Sequence, residues 1–267
     1  PQSSQEIQEL IDFCAKIHAD NPQIFQHFFI RNPFIPWASH RFLRHNHQII
    51  AMASLLPRQQ YLAHIPLSVG EIGFVGTDLL WRNQGLSTQL MNQLLEEASY
   101  PLYFLFGIPQ FYERFGFSYA VPSSHARIEI ELSKLRHLKE DLSYRLRDYK
   151  HSDFTEIQTL YTHAYQENSG ASVRSPELWQ YYLDAINLAQ RPLKTVLDMK
   201  GHISGYVWFE IKPRVRILEA VSLSEGASHC ILKEALFWMQ RFHQEVLPIQ
   251  IPHNHLFAQH NYAYGAR

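Results

Sequence analysis

The stretch from Val69 to Ala98 admits few folds. Val69 to Thr77 is apolar on both faces, as in a central strand covered on both sides. A turn follows at Arg82–Gly85, and then Leu86, Leu90, Met91, Leu94, Leu95 and Ala98 fall on one face of a helix. A strand entering a helix through a glycine turn belongs in a layered α/β protein. The first amides of that helix are free, and its dipole favours negative charge there. Gly85 lets a phosphate approach the backbone, Arg82 adds a fixed positive charge, and Ser87 adds a hydroxyl donor. Leu86 anchors the turn in the core. Taken alone, the segment also reads as a plain strand-to-helix connection.

A second cluster lies about 25 residues further on. Leu102–Phe106 reads as a short buried strand, Gly107 ends it, and Phe111-Tyr112-Glu113-Arg114-Phe115-Gly116-Phe117 follows. This places aromatic and charged groups at the carboxyl end of a strand, where open α/β sheets bind ligands. An aromatic-rich core turn is the equal alternative.

Together, and in this order, the two clusters resemble the GNAT acetyltransferases. Arg82-x-x-Gly85-x-Ser87 resembles the family's Q/R-x-x-G-x-G/A acyl-CoA loop, with Ser87 in place of Gly or Ala. Phe111 to Phe117 is similar to its FYxRxGF signature. The pattern of elements then restarts. A strand at Tyr144–Arg147 precedes helices near 153–168 and 176–190, strands at 194–199, 203–211 and 214–223, and a helix at 228–243. Gly170 to Trp179 and Gly201 to Val207 resemble the second, degenerate domain of the enhanced-intracellular-survival (Eis) type. The expected architecture is therefore α/β with mixed sheets, in two tandem GNAT-like domains. Residues 1–142 form the catalytic one, with 126–132 as its closing strand, and 143–267 form the degenerate one.

The resemblance implies transfer of an acetyl group from acetyl-CoA to a primary amine, by direct attack. The acceptor class is a small polyamine or aminoglycoside-like molecule, or a lysine side chain. Phe74, Val75, Gly76 and Thr77 would hold the pantetheine arm as an added strand does. Arg82, Asn83, Gln84, Gly85, Leu86 and Ser87 would hold the pyrophosphate, and an amide near Val75 would polarise the thioester carbonyl. Tyr112 is the candidate general acid, since a phenol of pKa ~10 can protonate a thiolate of pKa about 8.5. Glu71 is the candidate base, with His64 and His18 as weaker ones. Eis-like proteins form hexamers, so the resemblance points to a homo-oligomer.

The second half lacks the Arg-x-x-Gly loop, its counterpart being Ser222-Leu223-Ser224-Glu225-Gly226, so no coenzyme is expected there. The fold's usual first strand is not found before Ser4. Eis-like proteins continue into a sterol-carrier-like third domain, whose terminal carboxylate reaches the active site. This chain stops at Arg267 and begins at Pro1 rather than Met, which reads as a truncated or processed form, or as one whose base comes from elsewhere.

Composition sets the remaining bounds. Lys and Arg total 24 against 25 Asp and Glu, so no basic field favours nucleic acid or an anionic membrane. No apolar run approaches the ~20 residues of a spanning helix, and the start does not read as a signal peptide. Two distant cysteines, Cys14 and Cys230, fit a reducing cytoplasm and read as buried apolar residues. Sixteen histidines raise the question of metal, but His45-x-His47 and His253-x-His255 lack a convincing third ligand, so no metal is expected. The rival to an acetyltransferase is a non-catalytic acyl-CoA-binding or assembly module.

Overall fold

In the computed structural model, Ser3 opens the first helix: its side chain accepts from the Glu6 amide at 3.3 Å. The structure describes residues 3–97, 99–120, 128–138, 141–186, 191–251 and 255–261. In chain order the elements are α1 (Ser4–His18), α2 (Pro22–Gln26), β1 (His40–His45), β2 (Gln48–Leu62), β3 (Ile65–Thr77), α3 (Leu86–Glu97), β4 (Tyr103–Leu105), β5 (Ile128–Glu131), α4 (Leu132–Leu135), β6 (Tyr144–Asp148), α5 (Phe154–Tyr165), α6 (Pro176–Ile186), β7 (Leu193–Asp198), β8 (Ile203–Glu210), β9 (Arg216–Ser222), α7 (Glu225–Arg241), β10 (Val246–Ile249) and α8 (Leu256–His260). No helix among the described residues is long and apolar enough to cross a membrane.

The backbone divides into two compact units. The first holds Pro1–Tyr119 together with Ser172–Leu183, and the second holds Ala120–Ala171 with Asp184–Arg267. In the first unit the sheet order is β1-β2-β3-β4, antiparallel twice and then parallel. One sheet face is covered by α1, α2 and the helical turn His27–Arg31 that follows, whose Leu10, Ile11, Phe13, Cys14, Phe25 and Phe29 pack with Met52 and Phe74. The other is covered by α3, whose Leu90, Met91 and Leu94 pack with Ala51, Ala53, Leu55 and Ile72. Both faces of β3 are thus covered, as its unbroken apolarity predicts. β2 runs on to Leu62 and β3 begins at Ile65, four residues before the expected Val69, through polar residues and two prolines, and they turn at Ala63-His64, both at positive φ. Ser172 makes an isolated bridge to Gln60, and the Val173 amide donates to the Gln59 carbonyl at 2.9 Å, so Ser172–Leu183 begins along β2.

The second unit has a six-stranded mixed sheet, β5-β10-β9-β8-β7-β6. Its core joins Ile128 and Ile130 to Val207, Phe209, Ile217, Leu247 and Ile249, under Ile231, Leu232, Ala235 and Met239 of α7. The run β7-β8-β9-β10 repeats the antiparallel, antiparallel, parallel order of β1-β2-β3-β4, and a helix again links its third and fourth strands. The duplication inferred from element order is therefore visible in the topology. One expectation is corrected: the strand at 126–132 does not close the first sheet. Its described part, β5, pairs antiparallel with β10 through Ile128↔Ile249 and Ile130↔Leu247. Residues 126 and 127 lie outside the described residues, as do Ala98 and 187–190 of the expected helices.

Candidate active site

β3 pairs with β4 only through Gly70–Ile72 against Tyr103–Leu105, yet β3 runs on to Thr77. Among the described residues, its edge from Gly73 to Thr77 on that side has no partner strand. An unpaired row of N–H and C=O groups accepts an extended ligand as an added strand. On its other side β3 is irregular. Ser54 pairs Gly73 and Met52 pairs Gly76, so Phe74 and Val75 together oppose the single Ala53. Phe74 takes φ 51, a strained left-handed conformation for an aromatic residue.

The bulge reverses the normal alternation of side chains. Ile72 belongs to the α3-side core, while Gly73 faces Leu56 on the opposite side. Phe74 stays on that opposite side, ringed by Phe25, Phe28, Phe29 and His18, and Val75 returns to the α3 side. A bulge frees local ladder amides. Here the freed backbone lies just beyond the point where β3 and β4 stop pairing.

Past Thr77 the chain enters the expected turn. Asp78 accepts from the Leu80 amide at 3.0 Å and pairs with Lys16 at 2.6 Å, which neutralises a carboxylate beside the turn. Asn83 and Gly85 take φ 62 and 77. Gly85 is exposed, and nothing lies within 4 Å of where a Cβ would stand. Positive φ, rather than space, is therefore what calls for glycine. Arg82 and Gln84 are exposed, and Leu86 packs on the α3-side core. The hydroxyls of Ser87 and Thr77 pair at 2.8 Å. Among the described residues, no side chain is bonded to the amides of Leu86, Ser87 or Thr88.

Tyr112 follows β4, and its carbonyl accepts from Phe115 at 3.0 Å and Phe117 at 3.4 Å. Its ring lies against Gly107, where any Cβ would collide with it, and against Phe111 and Phe117. Burial pushes its phenol above the ordinary value of 10. Val75, Leu86 and Tyr112 all pack on one core cluster, so the two sequence clusters meet there. Glu71 lies on the other face of β3 from Ile72, and its Oε2 accepts from Arg58 Nε at 2.6 Å. Leu56 stands opposite Glu71, and Arg58 reaches it from two residues along. Sequence reading passed over Arg58, because only the strand register brings it to Glu71.

His18 ends α1 and lies 6.2 Å from the Phe74 ring, centre to centre. Burial lowers its pKa below 6.5, against a smaller opposing pull from Asp20. His64 sits in the β2–β3 turn, ten residues from Phe74, or roughly 30 Å along an extended strand. Phe25, Phe28 and Trp37 belong to the cluster around Phe74 and Phe29, and Trp179 is fully buried beneath Arg174. Among the described residues, no group of three or more potential ligands could hold a metal. His45 packs on Trp81 at 4.3 Å, and His253 lies outside the described residues. Burial raises Cys14 to about 12 and Cys230 to about 11, so neither thiol ionises near neutrality.

At the corresponding place in the second unit, Ser224 caps the Ala227 amide at 3.2 Å and bonds Tyr144 at 3.0 Å. The Asp141 carboxylate and the Tyr144 ring lie against Gly226. An acidic oxygen and a capping hydroxyl thus stand at the helix start that would otherwise attract an anion.

A sequence model of the GNAT acetyltransferase domain matches residues 2–120. No curated protein matches the chain by sequence. Among solved structures, the GCN5-related N-acetyltransferase from Anabaena variabilis shares the fold at TM-score 0.69 and 19% identity, over 96% of this chain. Eis1 from Mycobacterium abscessus does so at TM-score 0.60 and 15% identity, over 97% of it. The chain spans 66% of the length of each of those two chains. The N-myristoyltransferase of Saccharomyces cerevisiae, solved with myristoyl-CoA and inhibitors, gives TM-score 0.62 and 10% identity over 92% of this chain and 72% of its own. These likenesses establish the fold, and the match over residues 2–120 identifies that part of the chain as a GNAT acetyltransferase domain, a domain whose chemistry is acyl transfer.

Proposed function

We propose that the chain is an Eis-like, acetyl-CoA-dependent N-acetyltransferase acting on a primary amine. The observation that carries this is the bulge at Phe74–Val75, set where β3 parts from β4 and followed by an open helix start at Gly85–Ser87. The residues fit the coenzyme. The amides opening α3, with Arg82, suit a diphosphate. The free β3 edge from Phe74 to Thr77 suits the amide-bearing pantetheine arm. The coenzyme supplies the acyl thioester when bound.

The chain's own residues do the rest. A bulge amide near Val75 polarises the carbonyl. Glu71, positioned by Arg58, accepts a proton from the ammonium so that the neutral amine can attack. The new N–C bond forms as the C–S bond breaks. Tyr112, held protonated at neutral pH, gives its proton to the departing sulfur, and the proton shed by the newly acylated nitrogen passes through water to restore the phenol. Catalysis is assigned to the first unit and a non-catalytic GNAT-like role to the second. The capped, acidic helix start of the second unit supports the latter.

Calorimetry with acetyl-CoA, followed by thiol release in the presence of amines, tests the reading. Saturable binding with amine-dependent thiol release is expected. Binding without thiol release across an amine panel would leave the rival, an acyl-CoA-binding module. No binding by folded protein would remove both.

A further inference from the structure

Arg58 does more than hold Glu71. Only its Nε is engaged there; its two terminal nitrogens carry no hydrogen bond among the described residues. The side chain is 26% exposed, so it is largely sheltered rather than dissolved in water. Its surroundings are built. Arg58 lies close enough to the Tyr181 phenol to oppose the upward push of burial, which carries that group to about 12. Asn32 hydrogen-bonds Tyr181, and the His27 ring stacks on it at 4.6 Å and 14°. All these groups belong to the first unit, Tyr181 through its Ser172–Leu183 segment.

Glu71 precedes Phe74, the first residue of the bulge, by three residues, or ~10 Å of strand, and the Arg58 head lies at Glu71. An amine held at Glu71 to give up its proton therefore has a guanidinium edge within a few bonds' reach. A second ammonium on the acceptor would meet that positive charge. A carboxylate would meet a planar fork of donors matched to its two oxygens.

Resting on the transferase reading above, we propose that Arg58 selects the acceptor, and that the acceptor is an amine bearing a carboxylate a few atoms away, an amino acid or a close analogue, rather than a polycation. One guanidinium edge positions the base and the other binds the substrate anion.

The test uses the full chain with acetyl-CoA, following thiol release against amino acids, the matching carboxamides, and spermidine. The carboxylates are expected to exceed their carboxamides in kcat/KM by about 10- to 100-fold, the range of one charge-assisted pair. Arg58→Met keeps the apolar stem. It should lower kcat for every acceptor by freeing Glu71 and, beyond that shared loss, raise KM for the carboxylates enough to bring the ratio close to one. Carboxamides or spermidine serving as well as carboxylates would overturn the proposal and leave the transferase reading intact. So would a parallel loss on both acceptor types in Arg58→Met, which would make Arg58 a brace for Glu71 alone. Coenzyme binding with no acceptor turned over would overturn the transferase reading, and this inference with it.

Discussion

The hydroxyls of Thr77 and Ser87 stand 2.8 Å apart, tying the last residue of β3 to the first turn of α3. Between them lies the whole proposed diphosphate turn. The start of that turn is also held, by Asp78 to Lys16 and to the Ile50 carbonyl, whereas Arg82 Nε reaches the Thr77 carbonyl at 3.4 Å.

Ser87→Ala removes the tie without disturbing the helix. Coenzyme affinity is expected to fall roughly fivefold, matching about 1 kcal/mol for one hydrogen bond. Calorimetry with acetyl-CoA checks it; unchanged affinity would show that the turn is held by its backbone alone.

Gly85→Ala meets no neighbouring atom, so its cost is conformational. An alanine at φ 77 is expected to lose about 1–2 kcal/mol. Gly85→Asn should lose less, because asparagine tolerates the left-handed region. Thermal melts of the two variants, with and without coenzyme, separate strain from lost binding.

Tyr112→Phe keeps the ring that fills the space beside Gly107 and removes only the proton donor. Turnover is expected to fall by about 10²–10⁴, with coenzyme affinity near that of the parent. Because burial raises the phenol, the parent's rate should hold level to pH 10 and decline only above it. A variant as fast as the parent would remove Tyr112 from the chemistry.

Glu71 and His18 are separable by their pH behaviour. Glu71→Gln is expected to lower kcat by about 10²-fold or more, and His18→Gln by far less. Were His18 the base instead, kcat/KM would fall as pH drops through a value below 6.5, the direction in which burial moves that imidazole. His18→Gln would then abolish this limb.

His40 is buried and paired with Ser54 at 2.7 Å, and burial brings its pKa from 6.5 down to about 4. The folded state thus binds fewer protons than the unfolded chain between those values. Its contribution is fully present above pH 6.5 and is lost as pH falls toward 4, on the order of 3 kcal/mol. His255 in the second unit, also at about 4, acts in the same direction. Denaturant melts at pH 7 and pH 5 should show the loss, and His40→Gln should flatten part of it.

Local signals carried far in this chain. The apolar run at Val69–Thr77, the Arg82–Gly85 turn and the Leu86 face specify a strand, turn and helix with no help from distant residues. Tyr112 could be placed at the end of β4 for the same reason. What stayed hidden depends on pairing across the chain. Ile128 alternates like any edge strand, but nothing near it says that its partner is Ile249. Phe74 looks like an ordinary strand residue until the register against Ala53 exposes the bulge. Arg58 and Glu71 are 13 positions apart and meet only because the β2–β3 hairpin is longer than its prolines suggest.

The return of Ser172–Leu183 to the first unit has a consequence for synthesis. A growing chain that has released Tyr119 still lacks the strip that begins along Gln59 and Gln60 and sets Tyr181 against His27. That strip is made only about 60 residues later, roughly 3–12 s at ordinary elongation rates. Through that interval the nascent amino-terminal half waits with an unfinished flank, so its maturation is coupled to translation of the half that follows.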